Sequence, residues 1–425
     1  MPLRLSRFGS AYTGETGVGQ LMQDIGEANA AAKSSDQPFH ALGGGNPGSI
    51  PEVEKILSST LAQIADDAGD LRSIVNGYDS PQGDQEFIAA TAEALNTECG
   101  WNVGPSNLMI TNGSQSAFFM IFNLLAGHHD DGSFKHILLP LTPEYIGYND
   151  VGVDRDVFRS AAPIIQQLDD NQFKYRIDFD SLTVDADTAA ICLSRPTNPT
   201  GNVATDKEIA KLKTLASKAD VPLIIDSAYG SPFPNIIFTE ATPIWDNNCI
   251  VCLSLSKIGL AGVRTGIVVA SPEVVEALTS MNAIMNLASG SFGPGLTRKL
   301  MKDGDIVRMS HDHVAPFYQN RMQQALSWLH EYLDDLPWRV HKPEGAFFLW
   351  LWFPDLPVDS QQLYQQLKSR GVLVIAGHHF FPGLADENWK HRYECIRITY
   401  SQDEESVRQG IKIIAETVRD FYAAA

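Results

Sequence analysis

Between about Met109 and Ala270 short apolar runs recur, each followed by a polar or turn-rich stretch: LMITNG, HILLPL, AAICLSRP, PLIIDSAYG, CIVCLSLSK and GIVVAS. Several are too continuous for strands with one face in water, and segments of helical period such as Lys207 to Lys218 lie between some of them. This alternation predicts an α/β fold, with a mostly parallel sheet covered by helices on both faces. Ligands in such sheets bind beyond the carboxyl ends of the strands. The informative residues are therefore those that follow each run: Asn112, Gly113 and Ser114; Arg195 to Gly201; Asp226 to Gly230; and Ser254 to Lys257.

The texture changes after Val314. Phe317, Ala325, Trp328 and Tyr332 stand at helical spacing and predict a long helix leaving the first domain. Gly345 to Phe353 then alternates faces, Ser360 to Arg370 has helical period, and VLVIA and ECIRITY read as strands, which predicts a smaller α+β unit. The expected division is residues 1–50 as an N-terminal arm and part of the small domain, 51–305 as the large domain, and 306–425 as the linking helix and C-terminal small domain.

Composition narrows the partners. With 32 Lys and Arg against 51 Asp and Glu the net charge is −19, so a broad nucleic-acid footprint is excluded and any anion site has to be local. No run of 18 apolar residues occurs, and the two arginines near the start precede no apolar stretch, so neither a membrane span nor a cleaved secretory signal is expected. Five cysteines in 425 residues point away from a disulfide framework and toward a reducing, cytoplasmic setting.

Several motifs have more ordinary readings. Gly43 to Gly48 satisfies the dinucleotide spacing G-x-G-x-x-G, but only FHAL precedes it, and Pro47 and Pro51 break the turn. Ser254 to Lys257 matches S-x-x-K without the S-D-N and K-T-G that accompany it in penicillin-interacting enzymes. Cys249 and Cys252 lie within one strand and read as buried thiols; His378 and His379, like His311 and His313, lack a further ligand, so no metal site is expected.

The strand-end residues make sense together. A Gly-Ser-Gln turn (Gly113, Ser114, Gln115) opening a helix offers N–H groups and a hydroxyl to a phosphate. Asp226 closes the apolar run PLIID and needs a cationic partner. Lys257 follows Ser254 and Ser256 at another strand end, with Arg264 seven residues on. A phosphate cradle, a buried carboxylate and a reactive amine fit one small molecule, pyridoxal 5'-phosphate. Lys257 would condense with its aldehyde, Asp226 would hold its ring nitrogen protonated, and Gly113, Ser114, Ser254, Ser256 and Arg264 would neutralise its phosphate.

Here the chain resembles a known family, the fold type I, aspartate aminotransferase-like pyridoxal-phosphate enzymes. The likeness runs in order through LGGGNP (Leu42 to Pro47), NGYDSPQG (Asn76 to Gly83), TNGSQSAFF (Thr111 to Phe119), PEYIGY (Pro143 to Tyr148), SRPTNPTGN (Ser194 to Asn202), IDSAYG (Ile225 to Gly230), SLSKIGLAGVRTG (Ser254 to Gly266), KPEGAFFLWLWF (Lys342 to Phe353) and IRITY (Ile396 to Tyr400). The resemblance implies a seven-stranded, mostly parallel large-domain sheet, a small α+β domain, and transamination between amino acids and 2-oxo acids by a ping-pong course. It also implies Tyr145 stacked on the cofactor ring, Asn198 and Tyr229 on its phenolate oxygen, and Arg397 on the substrate α-carboxylate, with Gly44 and Gly45 lining the substrate. Tyr78 would reach the phosphate of a neighbouring subunit, which implies a homodimer with shared active sites. Ala261 departs from the family's pattern, where proline is expected.

The matched blocks favour valine as donor and pyruvate as acceptor, giving 3-methyl-2-oxobutanoate and alanine. Tyr12 to Leu21 and Ile284 to Phe292 are candidate side-chain pocket walls. The alternatives are an aminotransferase of other specificity, a lyase on the same scaffold, and a ligand-sensing regulator; no basic DNA-binding extension precedes LGGGNP, and the charge of −19 counts further against the last.

Overall fold

A computed structural model of the protein describes residues 39–424, together with residues 4–6, 9, 10, 19, 23 and 26. Most of the expected N-terminal arm, and nearly all of the candidate wall Tyr12 to Leu21, lie outside the described residues.

The larger sheet is built on β8 (Thr188–Ser194), β9 (Leu223–Asp226) and β10 (Cys249–Ser254), parallel to one another and buried along their whole length. On one side β4 (Phe134–Leu139) pairs parallel with β8, and carries the parallel β5 (Phe158–Ser160) and the antiparallel two-residue β3 (Gly127–His128). On the other side β11 (Gly266–Val269) runs antiparallel between β10 and β2 (Leu108–Thr111). The sheet is thus mostly parallel, and its eight strands exceed the expected seven by the short β3.

The continuous apolar runs are explained by cover on both faces. Along β10, Ile250 and Cys252 join one buried cluster with Phe118, Ile121 and Phe122 of the helix Ser114–Leu125, while Val251 and Leu253 join another with Ile209 and Leu212 of the helix Asp206–Ala219. Cys249 and Cys252 consequently lie in different clusters, both free, and burial pushes the Cys249 thiol up to about 12. The helix Asp206–Ala219 starts where the sequence supplies a capping box: Thr205 Oγ1 accepts from Glu208 N at 3.3 Å, and Glu208 Oε2 accepts from Thr205 N at 2.8 Å.

Register brings the strand ends together. Ser194 is opposite Asp226, Asp226 is opposite Cys252, Ser254 is opposite Gly266, and Gly266 is opposite Thr111. The carboxyl ends of β2, β8, β9 and β10 therefore share one edge of the sheet, the place where side chains from separate stretches of sequence can converge.

The second sheet has six strands, in the order β15 (Ile375–Ala376), β16 (Cys395–Thr399), β13 (Phe348–Trp352), β12 (Arg339–His341), β7 (Gln172–Arg176) and β6 (Ile164–Gln167). Two of them, β6 and β7, come from within the stretch 51–305. A short parallel pair, β1 (His40–Ala41) with β14 (Val372–Leu373), attaches the start of the described chain near this unit. Helical structure is continuous from Asp305 to Leu333 through a π turn at Ser310–Val314. Its buried stripe is Tyr318, Met322, Ala325, Leu329 and Leu333, so Phe317, Trp328 and Tyr332 flank the stripe rather than form it.

Candidate active site

Thr111 closes β2, and Gly113 turns the chain with φ 85° so that Ser114 opens a helix toward the sheet edge. Arg264 follows the turn Ala261–Val263 with φ 52°, and its Nη1 donates to Ala261 O at 3.1 Å. A Cβ on Gly113 would lie 2.2 Å from Arg264 Nη2, so only glycine lets the guanidinium come this close. Gly266 is similarly constrained: a Cβ there would meet Thr111 Oγ1 at 2.6 Å and Gly113 C at 2.7 Å. Alanine at 261 therefore leaves Arg264 beside the turn. The Ser114 hydroxyl donates to Leu253 O at 3.3 Å, and Ser254 Oγ accepts from Ser256 N at 3.1 Å. A helix N-terminus, three hydroxyls and a guanidinium are assembled as an anion cradle.

Deeper in the same cavity Asp226, at the end of β9, is buried. It accepts from Tyr148 Oη at 2.8 Å and from Ala228 N at 2.9 Å. Burial raises its proton affinity, and the two hydrogen bonds and Lys257 oppose that rise. A carboxylate so placed fits a protonated ring nitrogen.

Lys257 leaves the end of β10 in a short 3₁₀ turn. Its Nζ donates to Gly45 O at 2.8 Å and lies 5.4 Å and 5.5 Å from the ring centroids of Tyr229 and Phe347. Burial, then Arg397 and Arg264, push its pKa down to about 8 against the opposing pull of Asp226. Arg397, on β16, donates from Nη1 to Asn198 Oδ1 and from Nη2 to Gly43 O, both at 2.6 Å. Its guanidinium sits 4.1 Å from the Phe348 ring centroid, Nε has no hydrogen-bond partner among the described residues, and burial lowers its pKa to about 10.

One cavity of about 270 Å³ collects Gly45, Ser114, Gln115, Tyr145, Asn198, Asp226, Tyr229, Ser254, Ser256, Lys257, Arg264 and Arg397. Gln115 Nε2 donates to Gly147 O at 2.8 Å, while its buried Oε1 has no partner among the described residues. Gly113 lies behind this lining and Gly44 is buried beside it. Tyr78 stands apart, 86% exposed and outside the cavity.

Two polar residues of PEYIGY escaped the reading of the sequence: Tyr148, the donor to Asp226, and Glu144, buried behind Tyr145. Their signal was a phenol and a carboxylate within a short, otherwise apolar loop. Phe347 and Phe348, from the run that alternates faces, are buried and form the aromatic wall beside Lys257 and Arg397. Among the described residues no group of three or more His, Cys, Asp or Glu could hold a metal ion, and no helix is long and apolar enough to cross a membrane.

Comparison with known proteins agrees with this architecture. The family described as aminotransferase class I and II matches residues 53–414. The chain is 45% identical over 421 residues to the valine–pyruvate aminotransferase of Escherichia coli K12, covering 99% of each chain. Among solved structures, a putative amino-acid aminotransferase from Psychrobacter arcticum is 44% identical with TM-score 0.95 and full mutual coverage. The valine-pyruvate aminotransferase of Salmonella typhimurium LT2 is 44% identical with TM-score 0.88, covering 96% of this chain and 100% of that one. With an anion cradle, a buried carboxylate and a depressed lysine at one sheet edge, the chain belongs to the aminotransferase class I and II family and is a pyridoxal-phosphate-dependent aminotransferase of the fold type I, aspartate aminotransferase-like kind.

Proposed function

We propose that this aminotransferase takes valine as amino donor and pyruvate as acceptor, with Lys257 as its catalytic amine. The carrying observation is the charge balance of the cavity. Its cationic side chains among the described residues are Lys257, Arg264 and Arg397. Arg264 faces the anion cradle and Arg397 is positioned for an α-carboxylate, so no cation remains for a second, side-chain carboxylate. Ile146 and Phe118 add apolar lining that suits a branched aliphatic group.

Gly113, Ser114, Gln115, Ser254, Ser256 and Arg264 would hold the phosphate end, Asp226 the ring nitrogen, Asn198 and Tyr229 the phenolate oxygen, and Tyr145 one ring face. When bound, pyridoxal phosphate supplies an aldehyde and an electron-withdrawing ring that acidify the Cα–H of an attached amino acid. Arg397 fixes the carboxylate so that this hydrogen faces Lys257, with Gly44 and Gly45 as backbone beside the substrate. Lys257 Nζ takes the proton from Cα and would deliver it to the former aldehyde carbon, on the far side of the substrate nitrogen, a general acid–base role typically worth about 10²–10⁴-fold. The hydrogen bond from Tyr148 favours the ionised form of Asp226 against its burial, and Phe347 and Tyr229 keep bulk water from the amine.

Tyr78 belongs, in this reading, to the site of a second copy. Val75, Ile284 and Leu287 are exposed apolar side chains, 65%, 89% and 64%, and Asn282 Nδ2 donates to Pro81 O at 2.7 Å, which brings the stretch after Tyr78 against the helix that carries Ile284. This supports a homodimer with shared sites, and it assigns Ile284 to Phe292 to that interface more readily than to a pocket wall. Free cysteines at 99, 192, 249, 252 and 395 suit a reducing, cytoplasmic setting.

Four outcomes are expected. In a panel of amino donors against pyruvate, valine gives the highest kcat/KM, whereas aspartate outpacing valine contradicts the specificity. Arg397→Ala raises the KM of donor and acceptor together by roughly 10- to 150-fold, as expected for losing a charge-assisted hydrogen bond of about 1.5–3 kcal/mol; unchanged KM values place the carboxylate elsewhere. Only the neutral amine attacks an aldehyde, so cofactor capture by the apoprotein rises with pH about a midpoint near 8. A midpoint at the ordinary lysine value of 10.5 contradicts the depressed amine. Light scattering after size exclusion gives twice the chain mass, and a monomer removes the shared-site reading of Tyr78.

A further inference from the structure

Glu144 is almost fully buried, 1% exposed, behind the cavity wall, and the chemistry just described makes no use of it. Its carboxyl group gathers three donors. Oε1 accepts from Ser194 N at 2.7 Å, and Oε2 accepts from Ser194 Oγ at 2.5 Å and from Tyr145 N at 3.2 Å. Its own N–H donates to Phe380 O at 2.8 Å.

Each partner touches a different part of the site. Ser194 ends β8 opposite Asp226 and lines the cavity. Tyr145 lines it too, and its carbonyl accepts from Tyr148 N at 3.1 Å, which orients the phenol that donates to Asp226. The rings of Tyr145 and Tyr148 meet edge to face at 5.4 Å. Phe380 lies with its ring centroid 5.3 Å from the Arg397 guanidinium carbon. The contacts form a closed circuit from Glu144 to Ser194, across the ladder to Asp226, through Tyr148 and Tyr145, and back. Such a circuit fixes distances that separate loops leave free.

We infer that Glu144 is a positioning residue of this enzyme: by holding Ser194 and Tyr145 together it keeps the stacking ring and the Tyr148–Asp226 pair in register with each other and with the loop beneath Arg397. This rests on the site reading given above. Burying a carboxyl group is costly unless its oxygens are occupied, and here the donors come from both cofactor-facing segments. A side chain that only filled space at this point would be met by an apolar residue. Displacing a reacting group by about 1 Å costs up to roughly 100-fold in rate, so modest drift of the turn at residues 144–148 is expected to be visible in turnover.

The test compares Glu144→Ala, Glu144→Gln and Ser194→Ala with the unaltered protein, using pyridoxal phosphate itself as probe. Five quantities are read: the Kd for cofactor uptake by the apoprotein, the visible circular dichroism band of the bound cofactor, kcat and KM for valine, and the melting temperature. In Glu144→Ala the Kd rises about 10-fold, the dichroic band weakens and kcat falls about 10- to 100-fold, a larger change than in KM. Glu144→Gln restores part of the dichroic band and of kcat: with its amide oxygen in the place of Oε2 it still accepts from Ser194 Oγ and Tyr145 N, while the amide nitrogen in the place of Oε1 leaves Ser194 N without its acceptor. Ser194→Ala, which removes one contact and keeps the fold if the first variant does not, gives an intermediate loss. The inference is overturned if Glu144→Ala, or Ser194→Ala where the former fails to fold, melts at lower temperature yet keeps the dichroic band, Kd and kcat of the unaltered protein. Failure of the unaltered protein to take up cofactor would instead overturn the site reading, and this inference with it.

Discussion

An amine kept out of water and within the field of two guanidinium groups is the constraint on which the site depends. Lys257 is buried, and both that burial and the nearby charges of Arg397 and Arg264 favour its neutral form. A drop from 10.5 to about 8 raises the free-amine fraction near neutral pH by roughly two orders of magnitude. Asp226 pulls the other way, and burial raises its own proton affinity in turn. A cationic ring nitrogen would relieve Asp226, and an anionic phosphate would balance Arg264. Pyridoxal phosphate therefore complements both groups electrostatically.

The fold supplies this arrangement by register. Four strand ends meet at one edge because the centre of the large sheet is parallel, and antiparallel β11 returns Gly266 beside Thr111 so that Arg264 reaches Gly113. The second sheet brings Arg397 in from the other side. Since β6 and β7 enter that sheet from the middle of the chain, and Glu144 N–H holds Phe380 O, the part carrying Arg397 is attached to the part carrying Lys257 at several separate points. Opposing groups from two sheets can then be held within hydrogen-bonding distance, as Arg397 is to Asn198.

Much of this was legible in the chain. Strands buried on both faces leave continuous apolar runs, so β8, β9 and β10 and the residues just past them could be located, and those residues do converge on one cavity. The destination of β7 was not legible, because QFKYR specifies a strand without specifying its partner. Nor were Glu144 and Tyr148, since a polar residue in a loop reads as solvated until the fold buries it. The stretch 347–353 reads as a strand of alternating faces, and all of it but the half-buried Trp352 is buried. That two of its rings also face Lys257 and Arg397 follows only from pairing Phe348 with Thr399 across β13 and β16. Tyr78 marks a different limit, because its expected contact lies on another copy of the chain.

Borohydride reduction of the cofactor-loaded protein, followed by peptide mapping, tests the centre of this picture most directly. A pyridoxyl mass is expected on the peptide containing Lys257 and on no other lysine. A label distributed over surface lysines, or a protein that binds no cofactor and carries no label at position 257, contradicts the assignment of that amine.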